Sequence, residues 1–331
     1  MSDLVKIIKG HSHDMSNLGS PRDRQAGFYR MGLNTVKLLN FIPTFLSCLC
    51  LGISAELTCP ASQWAFLDNG QVRIGVLEKS GAAIGWFSVS GSARNLINHW
   101  DCGRMVQQSY YGQSDGSTWW KNSWTWNPVQ GGDARGDSSK VLHLNVTTNQ
   151  IYAQTLPKHW ASGSDLPEVR MEEWITLTGK VAHVHFKMTY HGTNSQPMRS
   201  QEVPAFFAQP DLDTLVLYDG PDPWTEKPLN RSKPGWPNEE RRITEHWAAY
   251  MDKNDFGVGA YNRGADTLTC YRFGDGQLTN ASCSYFAPLV KFAITPGFVF
   301  EYDVFLSLGK SSEIRETFHQ IDSSLCSQSQ N

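Results

Sequence analysis

The sequence predicts an all-β protein, a large antiparallel β-sandwich with a short C-terminal helix. Three observations carry that prediction. Apolar residues recur at every second position along several stretches, turn-rich segments separate those stretches, and no helical block divides the chain before its tail.

Short strand candidates open the series at Gln71–Leu77 and Ala82–Phe87, followed by Val141–Thr147. The next run puts Val169, Met171, Glu173, Ile175 and Leu177 on one face. Gly179-Lys180 then supplies a tight turn into a partner whose Ala182, Val184, Phe186, Met188 and Tyr190 share a face, with His183, His185, Lys187 and Thr189 opposite. These two runs read as a hairpin. The Pro-, Gly- and charge-rich insert Asp211 to Arg242 reads as a long surface loop. Strand candidates resume at Ile243–Met251 and Phe256–Tyr261, and Phe298, Phe300, Tyr302, Val304, Leu306 and Leu308 alternate over a long final strand. From Ser312 the period changes: Ile314, Phe318 and Ile321 form a helical stripe behind a serine cap.

The apolar run Leu38 to Ala55, counted from Met31, has the parts of a secretory signal: a short front with Lys37, an apolar middle and small residues at the end. Pro43 and Asn40 argue against a membrane-spanning helix. Residues 1–55 are therefore expected to be an N-terminal extension and signal peptide, and residues 56–331 a single secreted, extracellular domain. Asn145, Asn230 and Asn280 head acceptor triplets for glycosylation, which fits secretion. Cys270 and Cys283 flank Gly274-Asp275-Gly276 almost symmetrically, so a hairpin there predicts a disulfide between them, and Cys59, Cys102 and Cys326 supply at most one further bond.

With 29 basic and 32 acidic residues the net charge is −3, which argues against a nucleic-acid partner that would need a cationic stripe. Aromatic residues at 12% exclude disorder. No cysteine or histidine cluster predicts zinc, and no cofactor or metal is predicted. His183 and His185 read as a solvated strand face. Calcium is the one metal for which oxygens are on hand, from Asp211, Asp213, Asp219 and Asp222, without the spacing of a calcium loop.

The chemistry concentrates between Asn95 and Asp133, where five of the twelve tryptophans fall between Trp100 and Trp126. Flat indole faces stack on sugar C–H surfaces while amides, carboxylates and guanidinium groups pair with hydroxyls. The expected saccharide contacts are Arg104, Gln107, Gln108, Tyr111, Trp119, Trp120, Trp124, Trp126, Asn127, Asp133 and His159. Cleavage of a glycosidic bond in a polysaccharide by hydrolysis needs two carboxyl groups. Glu173 and Glu202 are the first pair, because Glu173 interrupts an apolar strand face where desolvation raises its pKa, and Asp101 and Asp133 stand in reserve. A lyase would instead draw on Tyr110, Tyr111, His159 or His246 with Arg104 or Gln107. The hydrolase is slightly favoured.

The stretch LDNGQVRIGVLEKSGAAIGWFSVSGSARNLIN resembles the opening of galactose-mutarotase-like β-supersandwich proteins, and the resemblance spans Leu67 to about Gly309. Gly103-Arg104 lies where aldose 1-epimerases carry a Gly-Arg pair, which implies that Arg104 touches the sugar. Gln201-Glu202-Val-Pro-Ala-Phe-Phe lies where those enzymes carry a histidine ahead of Tyr-Phe, so Glu202 stands in the histidine's place. The stretches NLINHWDCGRMVQQSYYG, WNPVQGGD and EYDVFLSLG look like those of secreted polysaccharide-degrading proteins. Two rivals remain: a non-catalytic, lectin-like glycan binder, and an adhesion protein displaying Arg135-Gly136-Asp137.

Overall fold

A computed structural model describes residues 63–328. The expected signal segment and Cys59 lie outside the described residues. Chain order begins with β1 (Trp64–Asp68), β2 (Val72–Leu77), β3 (Ala83–Val89) and β4 (Val106–Ser109), then a separate hairpin of β5 (Ser114–Trp119) and β6 (Asn122–Thr125). Next come β7 (Pro128–Val129), β8 (Lys140–Val146), β9 (Gln150–Leu156) and β10 (Lys158–His159). The long strands β11 (Val169–Thr178), β12 (Val181–Tyr190) and β13 (Gln196–Ala208) follow. After them run β14 (Thr214–Leu217), β15 (Asn230–Ser232), β16 (Glu239–Arg242), β17 (Trp247–Met251) and β18 (Phe256–Tyr261). The chain closes with β19 (Thr267–Phe273), β20 (Cys283–Ile294), β21 (Val299–Lys310) and α1 (Ser311–Gln328).

These strands make two large antiparallel sheets. The first, of ten strands, runs β1-β2-β3-β4-β13-β20-β19-β16, with β7 and β10 attached beside β4; the second, of nine, runs β15-β14-β17-β18-β21-β12-β11-β9-β8. One interior cluster fills the space between them, drawing Val72, Ile74, Phe87 and Phe206 from the first sheet and Ile175, Phe186 and Val304 from the second. The predicted hairpin forms as read: Val169 opposes Tyr190, Thr178 opposes Val181, and the inward positions of both strands alternate with half-exposed ones. Gly179 takes φ +57 in the turn, a conformation glycine adopts freely.

The helix closes the outer face of the second sheet. Ile314 and Phe318 sit against Val216, Trp247, Met251 and Tyr261. Arg315 anchors it, sending Nε (3.0 Å) and Nη2 (2.6 Å) to the fully buried Glu245, whose oxygens also accept from the Trp224 backbone and the Trp247 indole.

Two expectations need correction. The insert Asp211 to Arg242 is not a plain loop: it contributes β14 and β15 to one edge of the second sheet and β16 to the edge of the first. The disulfide is not formed. Cys270 opposes Phe286 and Cys283 opposes Phe273, so three positions separate the cysteines along the ladder. That is roughly 10 Å of strand, beyond the Cα spacing of about 7 Å a disulfide tolerates. The odd offset also turns Cys270 inward and Cys283 outward, and both thiols are free. The turn is centred further along the chain than Gly274-Asp275-Gly276 suggested. The aspartates weighed for calcium each have a protein partner, Asp211 with Arg94, Asp213 with Lys233, Asp222 with Lys227 and Asp219 with the Asn230 amide, and among the described residues no cluster of metal-ligating side chains occurs.

His183 and His185 both reach Asp303 on the half-exposed face of β12, at 2.7 and 3.1 Å, with Lys187 and Glu301 extending the row. Asn145 and Asn230 are exposed, while the Asn280 amide donates to Asp275 within its turn. Among the described residues no helix is long and apolar enough to cross a membrane.

Candidate active site

The outer face of the first sheet carries a depression of about 120 Å³ that is open to solvent. Its floor is an aromatic row across three neighbouring strands. Phe207 of β13, Tyr285 of β20 and Tyr271 of β19 lie side by side, with Tyr285 4.5 Å from each ring. Period two on each strand sends these rings outward while Phe206 and Phe286 stack inside.

Glu202 reaches this floor because β13 is irregular. Phe207 and Ala205 face outward, so an unbroken strand would turn Val203 outward and Glu202 into the core. The pairing slips between Glu202 and Phe206 against β20, and between Glu202 and Ala205 against β4. Pro204, which has no N–H for the ladder, sits in that irregularity. Val203 is therefore sealed in the interior, and Glu202 lines the depression.

Three hydroxyls converge on Glu202. Tyr285 donates to Oε1 at 2.5 Å, and the nearby Tyr111 and Ser109 hydroxyls favour the ionised carboxyl. Burial nonetheless dominates and pushes Glu202 up to about 7, the hydroxyls only partly offsetting it. The side chain keeps accessible surface through the mouth. The same crowding raises the phenols of Tyr111, Tyr271 and Tyr285 well above the usual tyrosine range.

Indoles form the walls. Trp119 and Trp124 project from the β5–β6 hairpin, with rings 5.2 Å apart, and Trp160 packs 5.7 Å from Trp119. Trp160 lies directly over Gly103, where a Cβ would fall 2.3 Å from the ring, so a side chain at 103 would displace the wall. Trp236 stands edge-on to Tyr271 at 4.8 Å. His159 secures the hairpin: its Nδ1 accepts from the Ala161 and Ser162 amides, so Nε2 carries the proton and donates to Asp115 Oδ2 at 2.6 Å.

The structure divides the residues expected from the sequence. Glu202, Gln107, Tyr111, Trp119, Trp124 and Asn127 line the depression. Two of these have committed amides: Gln107 bonds Cys102 O, Arg104 O and Gly131 N, and Asn127 bonds Tyr110 O and accepts from the Trp124 indole. Trp120 forms the hairpin tip, its ring 5.2 Å from Trp119.

The remaining candidates lie off the depression. Glu173 is wholly buried between the sheets, neither oxygen has a hydrogen-bond partner, and burial pushes it up to about 8. Its inward strand face raised its pKa as expected but sealed it from any substrate, so Glu173 and Glu202 do not form a catalytic pair. Gln108 and Tyr110 also turn inward, the tyrosine hydroxyl donating to the Gln108 side-chain Oε1 at 2.9 Å. Trp126 is a core residue bonded to Glu168. Arg104 gives Nη1 to Asp101 and Nη2 to Ala281 O, its Nε is buried without a partner, and it does not line the depression. Asp133 folds the Arg135-Gly136-Asp137 loop, accepting from the amides of Arg135 and Asp137. His246 bonds Ala265 O ahead of β17.

Sequence reasoning missed Trp160, Phe207, Trp236, Asn238, Tyr271 and Tyr285. The outward phase of β19 and β20 could have flagged the tyrosines. Nothing local marked Trp236 and Asn238, which arrive from the insert.

No protein-family model and no curated protein sequence matches the chain. Solved structures similar to it include a candidate aldose 1-epimerase from Escherichia coli K12, with TM-score 0.49 and 11% identity over 75% of this chain and 99% of that one. A galactose mutarotase related enzyme from Lactobacillus acidophilus has TM-score 0.48 and 11% identity over 75% and 98% of the two chains. A galactose mutarotase-like protein from Lactobacillus casei has TM-score 0.48 and 14% identity over 74% and 100%.

Proposed function

We propose that this is a carbohydrate-active enzyme that holds a sugar ring between the indole walls of the depression and moves a proton through Glu202. One observation carries the reading: a carboxyl group poised near neutrality lies at the floor of an aromatic depression, hydrogen-bonded by the Tyr285 phenol. A group with pKa about 7 accepts and returns a proton at neutral pH with little penalty either way. Tyr285 orients it, and the rings supply stacking surfaces. Among the described residues no second carboxylate lines the depression. Two-carboxylate hydrolysis, which needs a partner within about 10 Å, is therefore less well supported than single-carboxyl acid–base chemistry such as elimination or anomer interconversion. The Met31 to Ala55 pattern supports a secreted setting.

The test is incubation with neutral and uronic polysaccharides and with free reducing sugars. An unsaturated product absorbing in the ultraviolet marks elimination, new reducing ends without it mark hydrolysis, and accelerated anomer exchange marks interconversion. Glu202→Gln should abolish the reaction while saccharide still perturbs tryptophan fluorescence; full turnover in that variant defeats the assignment. The predominance of aromatic surface over ionisable groups in the depression also favours a purely binding role, which predicts binding with no product from any substrate.

A further inference from the structure

We infer that the depression selects a positively charged saccharide, an amino sugar whose ammonium group rests against the aromatic rings beside Glu202. The inference rests on the proposed sugar-binding role of the depression and names the class of sugar.

The charge of the lining points one way. Among the described residues Glu202 is the only carboxyl group that lines the depression, and no lysine, arginine or histidine lines it. Arg104, whose charge reaches Tyr271, is paired with Asp101 and stands outside the lining. An anionic sugar would bring its carboxylate toward Glu202 with no cation to balance either group. A cationic sugar meets its counter-charge at the floor.

The rings act in the same direction. Trp119, Trp124, Trp160 and Trp236 line the depression above Tyr271 and Tyr285. Each ring face carries the negative side of a quadrupole, and a cation within about 6 Å of the centroid is attracted to it, most strongly at indole. Several rings converging with one carboxyl group therefore suit an alkylammonium better than a neutral hydroxyl. Two of the amides in the lining are engaged within the protein: Gln107 with Cys102 O, Arg104 O and Gly131 N, and Asn127 with Tyr110 O and the Trp124 indole.

The groups facing Glu202 do not compete for the charge. Tyr111, Tyr271 and Tyr285 surround it with Ser109, and burial holds all three phenols well above the usual tyrosine range. Between pH 5.5 and 8.5 the lining group that changes charge is thus Glu202, pushed up to about 7 by burial. Glu173 titrates about 8, but it is sealed between the sheets.

The experiment measures binding by tryptophan fluorescence at pH 7. The ligands are glucose, N-acetylglucosamine, glucosamine and glucuronate, each as monomer and linear oligomer, together with N,N,N-trimethylglucosamine and choline. The two cationic sugars should bind about tenfold more tightly than the neutral ones, and glucuronate more weakly than any. The trimethyl sugar keeps its charge at every pH, so its affinity should rise about tenfold from pH 5.5 to 8.5 as Glu202 loses its proton. Glu202→Gln should flatten that rise. Binding of the trimethyl sugar to the wild type at pH 7 should also release protons, read by calorimetry in buffers of different ionisation enthalpy, a measurement that needs no variant. Equal binding of glucose and glucosamine, or tightest binding of glucuronate, overturns the inference while the sugar-binding role stands. A pH rise undiminished in Glu202→Gln, or no proton release, overturns it as well. Binding of choline with no sugar bound, or no binding of any ligand, defeats both the inference and the sugar-binding role.

Discussion

Tyr285 and Glu202 meet at 2.5 Å across the β13–β20 ladder, the phenol donating to Oε1. The bond favours the carboxylate and so opposes burial, which pushes the carboxyl up to about 7. Tyr285→Phe removes the donor and should move Glu202 further upward. If the carboxylate is the catalytic base, the rising limb of the pH–rate profile shifts to higher pH in that variant, with activity recovered under alkaline conditions. A profile that falls without shifting would show that Tyr285 acts otherwise.

Glu173 gives a pH signature of a different kind. Its folded pKa, about 8, lies above the ordinary carboxyl value, so the folded state binds the proton more tightly than the unfolded state does. The sign follows: this contribution is fully present below the unfolded pKa of about 4.3 and is lost as pH rises through the folded pKa. Between those limits the slope is about 1.4 kcal/mol per pH unit. Glu173→Gln should flatten urea-measured stability between pH 5 and 8 by roughly that slope. A profile as steep as the wild type's would contradict it.

Arg315 and Glu245 tie the helix to the second sheet. Arg315→Ala leaves a fully buried carboxylate without its cation and should cost about 3–5 kcal/mol in urea unfolding. The same variant frees the loop that Arg315 holds through the Thr225 and Lys227 carbonyls, so faster proteolysis within 222–230 should accompany it.

Two tryptophans close in sequence should behave oppositely. Trp119→Ala removes a wall of the depression and should weaken saccharide binding roughly tenfold with little change in stability. Trp126→Ala empties a core position and should cost about 3–5 kcal/mol. Equal stability losses in both would place Trp119 in the core as well.

Unfolding in denaturant with an alkylating agent and no reductant should label both Cys270 and Cys283, read by peptide mass spectrometry. Protection of the pair would restore the hairpin disulfide.

The sandwich and its helix were legible in the sequence because burial of one sheet face writes itself as period two, and one helix face as the Ile314, Phe318 stripe. The aromatic and polar content of the Asn95–Asp133 stretch likewise announced a site rich in rings. Which of those residues line the depression was a matter of phase, and phase is set by pairing across strands. The irregularity at Val203-Pro204 turns Glu202 outward, the unbroken alternation of β11 turns Glu173 inward, and a three-position offset parts Cys270 from Cys283. Such offsets depend on contacts between residues distant along the chain, as does the arrival of Trp236 and Asn238 beside Tyr271, so only the tertiary structure decided them.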